Sequence, residues 1–138
     1  MESPTKILAA SDHELMIISA CLQDALVSLK NTSYDKKNKR FTLLANRYQW
    51  EKSAGRKGLR THTAIAFDHV DAVQTNKVVA NIKGLESLSL LNIAMTNDKH
   101  VILTFSEDVK IRLQITQLKI KLRDEGAPWP ARAPKHPQ

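Results

Sequence analysis

A chain of 138 residues, 42% of them hydrophobic and 25% charged, has the size and composition of one globular domain with one core, which excludes both a two-domain enzyme and a disordered chain. The single cysteine, Cys21, excludes an internal disulfide and a multi-cysteine zinc site. Twenty-one Lys and Arg against fourteen Asp and Glu give a net charge of +7, which suits contact with nucleic acid, anionic lipid or an acidic partner and equally suits a surface that is merely solubilising.

The opening stretch MESPTKILAASDHE has no charged segment followed by an apolar run and a small-residue cleavage site, and no apolar run approaches the roughly 18 residues of a membrane span. A cytoplasmic location without a membrane span is therefore expected. Ser11 stands three residues before Glu14, the spacing of a capping box, and Leu15, Ile18, Leu22 and Ala25 follow at helical intervals. A helix over 12–26 is predicted, with Cys21 and Ile17 bordering its apolar stripe. Cys21 then reads as a small core hydrophobe rather than a nucleophile.

Val27 to Leu29 and Phe41 to Trp50 read as two strands joined by an exposed charged turn around Asp35 to Asn38. In the second strand Phe41, Leu43 and Ala45 share one face, while Leu44, Tyr48 and Trp50 share the other. Both faces are partly apolar, which fits a coiled or covered sheet better than one wetted on one side. Lys52 to Gly58, with two Gly and three cations, reads as a loop before a strand over 61–74. Alternation in that strand breaks at Asp68 and His69, where a β-bulge would restore the register.

Leu85 to Met95 and Val101 to Phe105 flank the turn formers Asn97-Asp98-Lys99 and predict a hairpin. After a second turn at Ser106 to Asp108, Val109, Ile111, Leu113 and Ile115 alternate with Lys110, Arg112 and Gln114, a strand with one buried and one wet cationic face. Were it an edge strand, it could pair across a homodimer. Leu118 and Leu122, four apart among Lys119, Lys121 and Arg123, predict a short C-terminal helix stopped by Gly126 and Pro128. Residues 130–138, rich in Pro, are expected to form a disordered tail after a single domain over 1–129.

Runs of strands without intervening helices exclude a parallel doubly wound sheet. The fold class is α+β, with a predominantly antiparallel, strongly curved sheet or partly closed barrel, an N-terminal helix and a short C-terminal helix. Two meanders closed by a helix suggest a pleckstrin-homology-like arrangement, a likeness of fold that carries no function.

The phrases ISACLQDAL at 18–26, RFTLLANRYQWE at 40–51, FDHVDAV at 67–73, LSLLNI at 88–93 and GAPW at 126–129 resemble the alphaproteobacterial family catalogued as domain of unknown function 2948. The similarity runs from about residue 6 to residue 131, and its most specific pieces are Leu-Gln-Asp-Ala and Asn-Arg-Tyr-Gln-Trp-Glu. The resemblance implies a bacterial intracellular protein and supplies no activity, cofactor or catalytic residue.

The residues themselves argue against most chemistries. His13, His62, His69, His100 and His136 form no ligand cluster, and His62 and His69 on one strand would stand more than about 20 Å apart at roughly 3.3 Å per residue. Asp68, His69 and Asp71 read as a bulged polar cluster, and no nucleophile elbow, phosphate-cradling loop or dinucleotide fingerprint is present. No metal or cofactor is expected. The strongest candidate is a basic, aromatic edge made of Lys37, Arg40, Arg47, Trp50, Arg56, Lys57 and Arg60, because cations track phosphates while rings offer stacking surfaces. The same residues admit plainer roles, with the lysines solvating a turn, Tyr48 and Trp50 packing beneath a helix, and Arg47 pairing with Glu51 or another carboxylate. The expected function is a non-enzymatic binding module with a protein or nucleic-acid partner. The alternative is a small enzyme or ligand-binding protein whose pocket residues are scattered through the chain.

Overall fold

The computed structural model describes residues 6–48, 58–78, 81–82 and 84–131. In chain order they form β1 (Lys6–Ala9), α1 (Asp12–Leu22), β2 (Leu26–Val27), a 3₁₀ turn (Leu29–Asn31), β3 (Ser33–Asp35), β4 (Arg40–Tyr48), β5 (Gly58–Phe67), β6 (Val70–Thr75), β7 (Leu88–Thr96), β8 (His100–Phe105), β9 (Lys110–Ile115) and β10 (Ile120–Ala131). Among the described residues the strands join in one antiparallel sheet of order β1-β10-β5-β4-β2-β7-β8-β9-β6, with β3 also on β4. The sheet is not closed.

The helix begins as its capping box requires. Ser11 Oγ accepts the Glu14 N–H at 3.2 Å, and Glu14 Oε1 accepts from Ser11 Oγ at 3.0 Å and from the Ala10 N–H at 3.2 Å. Leu15, Ile18 and Leu22 are fully buried. The helix stops at Leu22 rather than 26, because the sheet captures the chain: Asp24 takes a left-handed φ of 66° and donates its N–H to Leu90 O, and the Leu90 N–H returns to Ala25 O. Sheet pairing here outweighs one more helical turn.

The C-terminal helix expected from Leu118 and Leu122 is a strand. Leu118, Ile120, Leu122 and Asp124 are buried, while Lys119, Lys121 and Arg123 between them are exposed. This is a period of two, and Ile120, which the helical reading passed over, completes it. β10 lies between β1 and β5 and reaches Ala131, so Pro130 and Ala131 belong to the sheet, and 132–138 lie outside the described residues. With a strand in place of that helix and the sheet open, the pleckstrin-homology-like arrangement is not confirmed.

The break expected near Asp68 and His69 is a corner, followed directly by a register shift between Val70 and Ala72. His69 has a left-handed φ of 59°, and the chain leaves β5, between β10 and β4, to become β6 beside β9 at the far end of the sheet order. Three backbone bonds pin the corner, Asp68 N–H to Lys119 O, Val70 N–H to Lys39 O and Thr116 N–H to His69 O. Both halves of the sheet thereby share one core, in which Phe41 and Phe67 meet with ring centroids 6.1 Å apart. The two predicted hairpin turns form as expected, with left-handed Asn97 and Asp98 in one and Glu107 and Asp108 in the other. β9 has its buried and wet faces as expected, but it pairs with β8 on one side and β6 on the other, so it is no edge and offers no pairing to a second copy. Among the described residues no helix is long and apolar enough to cross a membrane.

Replacing Leu22 by Ala empties a fully buried site beneath α1 and should cost about 2–5 kcal/mol in urea unfolding. A change below about 0.5 kcal/mol would show that this face of α1 does not carry the core.

Candidate functional site

The sheet segment β4–β5–β10 presents two chemically different faces. Its inner face is apolar along Phe41, Leu43 and Ala45 and turns polar at one end, where Arg47 continues the same alternation with only 1% exposure. The register sets Arg47 opposite Thr61 and Thr63 opposite Asp124, bringing three strands together. Arg47 donates from Nε to Asp124 Oδ1 at 2.9 Å and from Nη2 to Oδ2 at 2.6 Å, and Thr63 Oγ1 donates to Oδ1 at 2.7 Å. This bidentate pair satisfies the carboxylate that burial would otherwise penalise. Of the sequence candidates, Arg47 is thus an internal strut. Its partner is Asp124, and Glu51 lies outside the described residues.

The outer face gathers the other cations. Lys37 is exposed in the turn between β3 and β4, whose shape is set by Asp35: Oδ1 accepts the Asn38 N–H at 3.1 Å, and Oδ2 accepts from Asn38 Nδ2 at 2.7 Å. Those two bonds, side chain first, hold the Asp35 carboxyl below its usual pKa. Arg40, at the start of β4, donates from Nε to Asp68 Oδ1 at 2.6 Å. Lys121 Nζ stands 3.8 Å from Asp68 Oδ2, and Lys39 pairs with Asp71 at 3.0 Å. Lys119 and Arg123 are exposed on the same side of β10 as Lys121. Across the middle, Ala66 is opposite both Lys121 and Thr42, and Ala64 is opposite both Arg123 and Leu44, the last 43% exposed. Further along, Arg60 on β5 is in register with Tyr48 on β4 and Trp129 on β10. Trp50, Arg56 and Lys57 lie outside the described residues.

Sequence reasoning missed Lys119, Lys121 and Arg123 as members of this surface. Their spacing of two puts them in one row on a strand and scatters them around a helix, so misreading the element hid the row. Asp68 was seen only as part of a bulge. Burial alone would raise its pKa; the hydrogen bond and charge of Arg40, then the charges of Lys121 and Lys119, outweigh that and hold the carboxyl below its usual range.

The remaining features are less promising. A groove of about 470 Å³ runs between α1 and β7, lined by Asp12, Met16, Ser19 and Leu91 among others. Its central polar groups are already engaged, since Ser19 Oγ donates to Asn92 Oδ1 at 3.1 Å and accepts the Ile93 N–H at 2.9 Å. Among the described residues no three His, Cys, Asp or Glu side chains gather as a metal site, and Cys21 is half-buried on α1. The second cationic row, Lys110 and Arg112 on β9, is partly tied down by the bond from Arg112 to Gln74.

The model of one protein family matches residues 5–137. The chain belongs to the family described as Protein of unknown function (DUF2948). No curated protein and no solved structure matches it. Membership in DUF2948 agrees with the phrases that carried the resemblance and assigns no activity to any of the residues above, so the function has to be argued from the two faces.

Two measurements test the assigned roles. Arg47→Ala leaves the Asp124 carboxylate buried without its bidentate partner and should cost about 3–5 kcal/mol, while the paired replacement Arg47→Met with Asp124→Leu should recover much of that loss. Equal losses for the single and paired changes would show that the pair is not a unit. The Asp68 carboxyl, followed by NMR, should titrate below the ordinary 3.8. Its folded-state pKa is depressed, so its contribution to stability is present above about 3.8 and is lost as the pH falls through the native midpoint. A midpoint at or above 3.8 would contradict the pairing with Arg40.

Proposed function

We propose that this protein is a non-enzymatic binding module, acting in the cytoplasm, that holds a single-stranded nucleic acid along the outer face of β4, β5 and β10. The observation that carries the reading is the convergence of cations from separate stretches of chain, Lys37 to Arg40 and Lys119 to Arg123, on one face whose centre is small and weakly apolar at Ala64 and Ala66. Cations follow a phosphate backbone, and a floor of small side chains lets a flat base approach. Further along the same three strands, Arg60 is in register with Tyr48 and Trp129. From Arg40 to Tyr48 a strand extends roughly 26 Å at about 3.3 Å per residue, a length that suits a strand of several nucleotides. Trp50, Arg56 and Lys57 join the reading from sequence, as the aromatic and basic link between β4 and β5. A small-molecule enzyme is less well supported, because in the groove beside α1 Ser19 and Asn92 already bond each other and no cluster of catalytic groups lines it among the described residues.

Binding of a fluorescent single-stranded oligonucleotide should weaken steeply with salt, with a logarithmic slope of about 0.7 per phosphate neutralised. Changing Lys121 and Arg123 together to Ala should flatten the slope by about 1.4. Trp50→Ala, checked by thermal melt for folding, should cost roughly 1–3 kcal/mol of affinity and leave the slope unchanged. If the wild-type protein binds no single-stranded or duplex oligonucleotide at low salt, the reading fails and a protein partner for the same face becomes the better account.

A further inference from the structure

Arg40 is held in an unusual way for an exposed cation. Its single hydrogen bond to Asp68 is made through Nε, and among the described residues Nη1 and Nη2 make none. The guanidinium therefore meets the carboxylate through Nε alone, with the side chain 48% exposed and its two terminal nitrogens not engaged by Asp68. Asp68, in contrast, is only 8% exposed, seated in the corner between β5 and β6 with its own N–H bound to Lys119 O. Its second oxygen stands 3.8 Å from Lys121 Nζ, so one buried carboxylate pairs with two cations from strands that do not adjoin. Asp35, opposite Arg40 in the β3–β4 register, spends both its oxygens on Asn38, and Asp71 is paired with Lys39. The charge of Asp35 still acts on Arg40, but neither carboxylate bonds its terminal nitrogens.

We propose that Arg40 and Lys121, positioned by Asp68, form a site that grips one phosphate group. The free fork of a guanidinium matches two oxygens of a phosphate, and an ammonium beside it supplies a third donor and a point charge. Asp68 is a positioning residue: it does not meet the anion but fixes the rotamer of Arg40, so that less side-chain freedom is lost on binding. The site rests on the nucleic-acid reading only for the source of its phosphate; a strand's phosphodiester and a free phosphate or small phosphorylated compound present the same oxygens.

Asp68→Asn separates orientation from charge, because it raises the net charge by one while weakening the anchor. A surface that binds polyanions by charge alone should bind more tightly after this change. The positioned site should bind a single-stranded oligothymidylate of roughly a dozen nucleotides about tenfold more weakly, with thermal melting checked in parallel. Arg40→Lys, its folding checked by the same thermal melt, keeps the charge and removes the fork; it should lose about tenfold in affinity with an unchanged salt slope. Inorganic phosphate is titrated alongside. If the strand binds but Asp68→Asn binds it equally or more tightly, or Arg40→Lys is neutral, the site is overturned and the outer-face reading stands. Arg40-dependent binding of inorganic phosphate without strand binding upholds the site and overturns that reading. Binding of neither probe by the wild-type protein overturns both.

Discussion

The corner at Asp68 and His69 is the constraint on which the rest of the molecule depends. A sheet this wide has an apolar face that must leave water, and a single helix of 11 residues is too small to cover it. The sheet instead supplies its own cover: β5 ends, His69 takes a left-handed backbone, and the chain re-emerges as β6 beside β9, so the inner faces of both halves meet in one core. Left-handed backbone is costly for a residue with a Cβ, and His69 is held there by neighbours on both sides, through Val70 N–H to Lys39 O and Thr116 N–H to His69 O.

That corner also creates the chemistry. A strand that turns exposes backbone and polar side chains at the bend, and Asp68 falls where β4 begins and β10 begins. It is buried enough to need partners and close enough to the rim for those partners to reach solvent. Arg40 bonds it and Lys121 stands 3.8 Å from its second oxygen, and on the proposed reading this is what positions the two cations. The contrast with Asp124 is instructive. There the arginine is also buried, both carboxylate oxygens receive donors from inside the sheet, and the result is a strut. The same pair of residue types is buried at one end of β4 and half-exposed at the other, and that depth separates a strut from the proposed site.

The cationic face proposed to bind a partner follows from ordinary alternation. Every second residue from Leu118, just before β10, to Asp124 within it is buried, which leaves Lys119, Lys121 and Arg123 exposed between them. Ala64 and Ala66 on β5 keep the middle of the face low, and Leu44 beside them is the kind of exposed apolar side chain that a base or a partner's side chain would cover.

Much of this was determined by the sequence alone. The capping box at Ser11 and Glu14, the helical spacing of Leu15, Ile18 and Leu22, the turn formers at 97–99 and the strict alternation of 109–115 are local signals, and each produced the element it predicted because neighbouring residues suffice to specify it. The sequence also marked Asp68 and His69 as a break and Arg47 as a partner for some carboxylate. Tertiary structure decided what local pattern leaves open. Leu118 and Leu122 suit a helix and a strand alike, and only the vacancy between β1 and β5 selected the strand, since an extended segment there completes two ladders of hydrogen bonds while a helix would complete none. Asp24 ended the helix early for the same reason. The pairing of Arg47 with Asp124, 77 residues away, and of Arg40 with Asp68 and Lys121 depends on register between strands distant in sequence, which no local spacing encodes.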